Sequence, residues 1–554
     1  MTRDSEAVRA GLATPSPLRA RSRWERPVRI ASSSVLLGLA LLMALASFTY
    51  PFGRDQATHG YIGLRWLEGA IPYRDTFDIK PPGVFFAHLL AFRLFGAHMG
   101  AIRVLDLCAS VIPGALLLGR ACHDPRWPRG ARLHHLALTA SFHALLYFGT
   151  FDFWCTAQSE TWCNLVSCLA IGGAAAADRK RVASVALMQG VAAAGMLLFK
   201  PPALVISLAC IAFVLHALRA GTWRATSTIW LRFAANAALG SAAVLAPVLG
   251  YFAAHRGLTS MYEVLVITTA RYARTGSSAA SFIESVGEIF MAFSVFSGIP
   301  LLLVTAAVVR LRTAGVPRRT RARYRLGLTA LAAAVLAVAV QRKFFLYHWV
   351  LAVPPLTFLA STALADARAA FARRRGGPGR ETGLLALLAV ALLGGGDGSE
   401  EALHVAALAP DYLRSGRLEA FDPAFDHPGF YGWIEYRRIA AAIARRSAPT
   451  DSVLVRGFEP QLYVLADRRY QGRHFWSLFV AGSVFSMPAL YGPEDCRAFL
   501  DAPPRLVVAF NTDRPPIEDA RTYEKIGYRR VDDISVFAVL ERIEPPIPLE
   551  RCPW

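Results

Sequence analysis

Acidic and basic side chains recur where the long apolar segments of this sequence end. A carboxylate beside an attacking hydroxyl group can accept its proton as a new bond forms. Lysine and arginine can hold the negative charge that builds on a phosphate leaving group. The pattern therefore indicates a functional site that combines groups able to accept a proton with groups able to bind an anion. The candidate acidic residues are Asp55, Asp78 and Glu160, and the candidate basic residues are Lys80, Lys200, Arg342, Lys343 and His348.

Each of these residues also has a purely structural interpretation. Asp55 follows the first apolar run closely and could simply cap the next helix. Lys80 and Lys200 each precede Pro-Pro, which could hold a charge on stiff backbone or merely end a helix at the membrane surface. Glu160 suits a helix N-terminus electrostatically. His348 has no partner at metal-ligand spacing, which favours a structural role over a metal site.

The composition places these residues in a polytopic membrane protein. The chain has 554 residues, of which 54% are hydrophobic and 18% are charged. Its mean hydropathy is +0.36, and long apolar runs recur along it. The net charge of +20 could suggest nucleic-acid binding. We exclude that class, because the basic residues lie in clusters between the apolar runs, as membrane topology requires.

The apolar runs predict about eleven membrane spans, the last of them at 382–393, with the N-terminus in the cytoplasm. In this orientation the predicted inside loops carry 29 Lys and Arg residues and the outside loops carry 11, as the positive-inside rule requires. The predicted parts are a basic tail at 1–30, a transmembrane domain at 31–393 with its first external loop at 52–100, and an extracytoplasmic domain at 394–554.

The topology holds only if the apolar run at 83–95 is an interfacial helix. Counting it as a span would invert every later loop and place the basic ones outside. A helix of 13 residues is also too short to cross the hydrocarbon core. We therefore expect this run to lie flat at the membrane surface, with Phe85, Phe86 and Leu89 at the lipid boundary.

The segment 394–554 is more polar and contains apolar runs of strand length. The amphipathic pattern at 436–446 predicts a helix, and the runs at 453–455, 506–510 and 536–540 predict strands. The alternation favours a small α/β domain. Asp467 and Arg468 are interpreted as surface or turn residues. Cys496 and Cys552 could pair if this segment is extracytoplasmic, although sequence supplies no geometry for a disulfide.

The first external loop resembles that of a known enzyme superfamily. Asp55 follows the first span, a Tyr-containing helix comes next, then GAIPYRDTFDIKPPGVFFAHLLAFRLFG, and Arg103 lies in the next apolar run. This arrangement is similar to GT-C glycosyltransferases, in particular the group of protein mannosyltransferases and aminoarabinose transferases. The resemblance is specific over 54–103 and loose elsewhere. One departure is Gln56, because many relatives have Glu after the catalytic Asp.

The resemblance implies a fold, a reaction and a set of roles. It implies an enzyme of the inner cell membrane that moves a sugar, with inversion, from a polyprenyl phosphate to an acceptor outside the cytoplasm. The acceptor is left open among lipid, polysaccharide and protein, and a divalent metal is left open as a cofactor. In this scheme the general base is Asp55, the phosphate ligands are Lys80, Lys200, Arg342 and Lys343, and the acceptor or metal contacts are Glu160, Asp78 and His348.

The alternative class is a secondary transporter or flippase of a lipid-linked or small anionic substrate. Many spans and charged residues near the membrane permit that interpretation. The sequence lacks the two matching halves with broken helices that many transporters show. It also contains no Walker A motif, no G-x-G-x-x-G after a strand and no H-E-x-x-H, so a cytosolic nucleotide site is not supported.

Overall fold

The computed structural model describes residues 17–219, 222–274, 287, 296–374, 396–427, 432–480, 486–511, 517–543 and 552. The described residues up to 374 form helices and their connections. The longer ones are Pro17–Ala46, Arg54–Leu67, Pro82–Phe95, Ile112–Cys122, Arg129–Thr150, Ser159–Ala175, Val182–Phe199, Leu204–Ala217, Trp223–Ala254, Ile299–Arg312, Arg318–Gln341 and Val353–Arg374. Two single-turn π-helical segments, Asp106–Val111 and Glu263–Thr268, interrupt this series.

Length and hydropathy identify the helices that can cross a membrane. Five described helical segments pass on both criteria, and a sixth does so if Ser33–Thr49 and Arg54–Leu67 form one span bent by 65°. The five are Gly100–Cys122, Arg179–Phe199, Trp223–Ala254, Arg318–Gln341 and Leu346–Ala370. The count of about eleven therefore stays a prediction, and its last span, 382–393, lies outside the described residues.

The run predicted to be interfacial forms the 14-residue helix Pro82–Phe95. At about 1.5 Å per residue it is about 21 Å long, shorter than a hydrocarbon core of about 30 Å. Phe86 is 51% exposed, as expected of a lipid-facing side chain. The expectation for Phe85 is wrong: this ring is fully buried and packs on the rings of His59 and Tyr73, because this helix packs against Arg54–Leu67.

The C-terminal segment contains a four-stranded mixed sheet. Its strands are β1 (Val453–Val455), β2 (Leu506–Phe510), β3 (Tyr528–Ile534) and β4 (Phe537–Arg542), in the order β1-β2-β4-β3. β1 and β2 are parallel, and the other two pairs are antiparallel. The predicted helix and three predicted strands coincide with Trp433–Arg446, β1, β2 and β4. β3 escaped prediction because its YRRVDDI sequence is charged and half-buried.

The helix Asp397–Ser415 connects this segment closely to the bundle. A Cβ atom added at Gly396 would lie 2.1 Å from the Gly149 carbonyl oxygen, and one at Gly398 would lie 2.2 Å from that of Phe148. Only glycine permits backbones to approach this closely. The helix therefore starts against the end of Arg129–Thr150, and a domain boundary at 394 stays a prediction.

A disulfide joins Cys496 to Cys552, with 5.7 Å between the two Cα atoms. Cys496 lies on the helix Pro488–Asp501, and Cys552 is close to the end of the chain. The pairing that the sequence left open is therefore present in the structure.

Candidate active site

Asp55 is the second residue of the helix Arg54–Leu67, and Gly53 occupies the N-cap position. The capping interpretation of Asp55 therefore fails, because a residue inside the first turn cannot be the N-cap. Its side chain remains 24% exposed, and Oδ2 lies 3.9 Å from Nζ of Lys80. The structure thus holds an accessible carboxylate beside an ammonium group at the start of a helix.

Lys80 is held by the turn that precedes the helix Pro82–Phe95. The Tyr73 hydroxyl donates to the Lys80 carbonyl oxygen at 2.8 Å, and the first residue of Pro-Pro caps the helix in an extended conformation. Burial works to lower the pKa of Lys80, but Tyr347, Asp55 and Glu160 together raise it well above its usual value. Lys80 therefore stays positively charged at neutral pH.

A second ion cluster forms around Glu160, which is fully buried in the first turn of Ser159–Ala175. Its Oε1 lies 2.7 Å from Nζ of Lys200 and 3.6 Å from Nε2 of His348. Lys200 ends the helix Val182–Phe199, and the following prolines form a single 3-10 turn. Burial lowers the pKa of Lys200, and the Glu160 carboxylate opposes this shift.

Tyr347 joins the two clusters. The ring centroid lies 5.4 Å from Nζ of Lys80 and 5.9 Å from Nζ of Lys200. Both distances suit a cation–π contact. Three chain segments separated by more than a hundred residues thus converge on one aromatic ring. The sequence analysis missed Tyr347, although its position directly before His348 in an aromatic and basic run was a usable signal.

The neighbouring residues Arg342 and Lys343 have different environments. Lys343 Nζ lies 3.2 Å from the ring centroid of Tyr272. Burial, with the nearby charges of Lys80 and Lys200, lowers the pKa of Lys343 to about 8. Arg342 is exposed with a φ of 51° at the end of a helix, and no contact with the described part of the cluster is found for it. The structure thus brings Lys343 towards the site and leaves Arg342 at the surface.

Asp78 lies buried behind Asp55 and Lys80. Its Oδ2 is 3.6 Å from Nε2 of His59, and its Oδ1 accepts a hydrogen bond from the Ile79 backbone at 2.7 Å. Burial raises the pKa of Asp78 to about 7, with a further contribution from Asp55, while Lys80 opposes it. At neutral pH this carboxyl group is therefore close to half protonated.

Gln56, the residue after Asp55, holds the loop that contains Phe153 and Thr156. Its Nε2 donates to the carbonyl oxygens of Phe153, Trp154 and Thr156 at 2.8 to 2.9 Å. Arg103, also buried, donates to the Thr156 hydroxyl at 2.7 Å and to the Phe153 carbonyl at 3.2 Å. These donors satisfy loop carbonyls that would otherwise be buried without partners.

The C-terminal segment also contacts the first external loop. Arg54 forms a two-point ion pair with Glu459 at 3.0 and 3.2 Å. The Tyr61 hydroxyl bonds the backbone of Tyr470, and Trp476 donates to the Phe77 carbonyl oxygen at 3.2 Å. The helix that carries Asp55 is thus fixed from both sides, by contacts that sequence reasoning did not identify.

Metal-binding geometry is not evident in the described ranges. There, no group of three or more His, Cys, Asp or Glu side chains could hold a metal ion. Glu160 and His348 are near each other, but Lys200 occupies the space beside them.

No protein-family model matches the sequence, and no curated protein matches it. Two crystal structures of ArnT from Cupriavidus metallidurans are similar in fold. The one bound to undecaprenyl phosphate is 16% identical, with a TM-score of 0.57 over 92% of this chain and 98% of that chain. The apo state is 14% identical, with a TM-score of 0.55 over 91% and 97%. The expected GT-C fold is therefore confirmed, and the chain is a helical membrane protein.

Proposed function

We propose that this protein is a membrane glycosyltransferase that moves a sugar from a polyprenyl-phosphate donor to an acceptor outside the cytoplasm. The observation that carries the proposal is the convergence of Asp55, Lys80 and Lys200 around Tyr347. The GT-C fold supports it, since a solved structure with this fold is bound to undecaprenyl phosphate. The acceptor remains a lipid, a polysaccharide or a protein.

Asp55 is the proposed general base. The acceptor hydroxyl attacks the anomeric carbon, the bond from that carbon to the donor phosphate breaks, and the hydroxyl proton passes to Asp55. Attack from the face opposite the phosphate inverts the anomeric centre. Asp55 suits this role because its carboxylate is partly exposed and lies 3.9 Å from the ammonium group of Lys80.

Lys80 and Lys200 are the proposed ligands of the donor phosphate, with Lys343 at the edge of the group. The polyprenyl phosphate leaves with an extra negative charge, and fixed ammonium groups stabilise that charge without reorganisation. Tyr347 holds the two ammonium groups over one ring. They therefore lose little conformational freedom when the donor phosphate binds. Arg342 is too exposed for a comparable role in this arrangement.

Glu160 and His348 act on the reaction through Lys200. The buried carboxylate of Glu160 contacts the ammonium group at 2.7 Å, and Nε2 of His348 lies 3.3 Å from it. They are therefore positioning residues in this proposal. The acceptor or metal role expected for them from the sequence is less well supported, because Lys200 contacts both side chains.

The proposed orientation places the site and the C-terminal segment outside the cytoplasm. Disulfides persist in oxidising compartments, so the Cys496–Cys552 bond supports this side. The excess of basic residues in the loops at the opposite end supports it too. About eleven spans and an α/β domain at 394–554 complete the proposed architecture.

The transporter or flippase alternative is not favoured. Two solved structures that resemble the chain in fold are ArnT structures, and each aligns with more than nine-tenths of it. The cluster around Tyr347 also gives a carboxylate and ammonium groups the relative positions that group transfer needs.

The test uses purified full-length protein in detergent micelles with undecaprenyl phosphate linked to each of a panel of sugars. Mass spectrometry follows transfer to a membrane glycan extract and release of undecaprenyl phosphate. Asp55→Asn keeps the size of the side chain but cannot accept the proton, so transfer should fall by about 10²–10⁴-fold. Lys80→Ala and Lys200→Ala should instead weaken binding of undecaprenyl phosphate.

Asp411→Asn is the matched control, because Asp411 is an exposed acid that pairs with Arg414 and lies outside the site. It should transfer at the wild-type rate. Wild-type transfer by Asp55→Asn would remove the catalytic assignment. Failure of the wild-type protein to use any donor in the panel, with vesicle uptake of a donor instead, would replace the proposal by the transporter interpretation.

A further inference from the structure

A large cavity lies at the end of the bundle remote from Asp55. Its volume is about 2070 Å³, which exceeds the range of about 300–1,000 Å³ usual for small-molecule sites. Its wall combines arginine side chains with apolar ones, among them Leu117, Leu136, Phe213 and Leu328. The space is therefore large enough, and mixed enough in polarity, for an amphiphile.

Two helices connect the candidate active site with this cavity. Ser159–Ala175 begins beside Glu160 and ends in the cavity wall. Arg318–Gln341 begins with the cavity arginines and ends just before Lys343. A helix of 17 residues is about 25 Å long. The cavity is thus at the opposite membrane face, which the charge pattern predicts to be cytoplasmic.

The charge in this cavity is strongly unbalanced. Ten arginines line it, and Asp178 is the one acid among its described lining residues. No described carboxylate pairs with any of these arginines. By contrast Arg310, outside the cavity wall, forms a two-point ion pair with Asp366 at 2.6 and 3.0 Å. The positive charge in the cavity is therefore left without described carboxylate partners, whereas the nearby Arg310 is neutralised by Asp366.

Arg323 gives independent evidence for a ligand. Its side chain lines the cavity yet is 91% buried. Its two terminal guanidinium nitrogens donate to the carbonyl oxygens of Cys122 at 2.6 Å and His123 at 3.5 Å, but Nε has no hydrogen-bond partner. A buried guanidinium without a carboxylate partner is costly unless an anion compensates its charge.

We propose that this cavity binds the phosphodiester headgroup of an anionic phospholipid, with the arginines on the headgroup and the apolar wall along an acyl chain. Basic pockets between transmembrane helices on the cytoplasmic side are suited to such headgroups. A free phosphate or a nucleotide would use the arginines but leave the apolar wall without a partner. The inference does not depend on the proposed glycosyl transfer.

The experiment measures lipid binding to the full-length protein by native mass spectrometry after delipidation in detergent. The probes are phosphatidylglycerol, zwitterionic phosphatidylcholine, inorganic phosphate and uridine monophosphate. The cavity variant replaces Arg132, Arg181 and Arg319 by glutamine. Each basic residue near an anionic lipid strengthens binding of that lipid by a factor of about ten or less. The loss of three arginines should therefore weaken the binding of phosphatidylglycerol about a hundredfold.

The control variant replaces Arg126, Lys180 and Arg312 by glutamine, which removes the same charge from exposed positions outside the cavity wall. It should bind phosphatidylglycerol like the wild type. Three outcomes would overturn the proposal: equal binding of phosphatidylcholine, equal weakening by the control variant, or displacement of the lipid by phosphate or uridine monophosphate at equal concentration. An unchanged melting temperature in the absence of lipid verifies that the cavity variant is folded.

Discussion

Replacing Glu160 by glutamine tests the core of the candidate site without relying on any substrate. Glu160 is fully buried, and its carboxylate lies 2.7 Å from Nζ of Lys200. At an effective dielectric constant of about 20, two unit charges at that distance attract each other by about 6 kcal/mol. Much of this attraction offsets the desolvation of both groups, so the pair contributes little net stability. Removing one partner is different, because it leaves a buried charge without compensation.

We expect Glu160→Gln to lower the free energy of unfolding by about 3–5 kcal/mol. Lys200→Met should have a similar effect, because it leaves the buried carboxylate without the ammonium group that contacts it. The double variant should be more stable than the two separate losses predict, with a coupling free energy of up to about 3 kcal/mol. The Lys200→Met variant and the double variant should both lose binding of undecaprenyl phosphate. The double variant therefore regains part of the stability without regaining binding, which distinguishes the two effects.

The assay is thermal unfolding in detergent, followed with a maleimide dye that reacts with newly exposed cysteines. The protein suits this method, because Cys122, Cys155, Cys163, Cys168 and Cys210 are free and buried. If the loss of stability in the double variant equalled the sum of the losses in the two single variants, the ion pair would not form. That result would refute the reasoning. The exposed-pair variant Asp411→Asn calibrates the effect of a simple carboxylate loss, which should be below about 1 kcal/mol.

Three further predictions follow from the same geometry. The pKa of Asp78 is raised from 3.8 to about 7, so the stability that the protonated carboxyl group contributes is fully present below pH 3.8 and is lost progressively as the pH rises through 7, by about 4 kcal/mol in all. Asp78→Asn should therefore gain more melting temperature over the wild type at pH 8.5 than at pH 5.5, where about half of the loss has occurred, and least near pH 4. A difference independent of pH would contradict this. Gln56→Glu points a carboxylate at three buried carbonyl oxygens and should cost at least about 3 kcal/mol, whereas an unchanged melting temperature would show that the loop is not held this way. Cys496 and Cys552 should react with a thiol reagent only after reduction, and reduction should destabilise the C-terminal segment by about 4 kcal/mol for a separation of 56 residues; labelling of both thiols without a reductant would show that the bond is absent.

Local patterns predicted those parts of the fold that depend on neighbours in the chain. Periodicity located the helix Pro82–Phe95 and three of the four strands. The same method misassigned Phe85, because burial depends on the helix packed against it rather than on its own helix. It also missed β3, whose charged residues are held in a strand by pairing with β4.

The candidate site shows the same division. Asp55, Lys80, Lys200 and Glu160 were identified as residues near one membrane face, because each lies at the end of an apolar run. Sequence could not show which of them touch. Glu160 pairs with Lys200 through the meeting of two helix ends, and no spacing in the chain encodes that distance.

The adjacent residues Arg342 and Lys343 illustrate the limit most clearly. Their two positions in one basic run offer no reason to expect different environments. The helix Arg318–Gln341 ends at that point, and Arg342 adopts a left-handed conformation that leaves it exposed while Lys343 turns onto Tyr272. Hydropathy and charge thus determined by themselves that the chain is a membrane protein with its ionisable residues at the ends of its helices, since the cost of burying charge in lipid acts on every segment separately. Only the tertiary structure decided which charges meet around Tyr347, because that depends on how helices far apart in the sequence pack together.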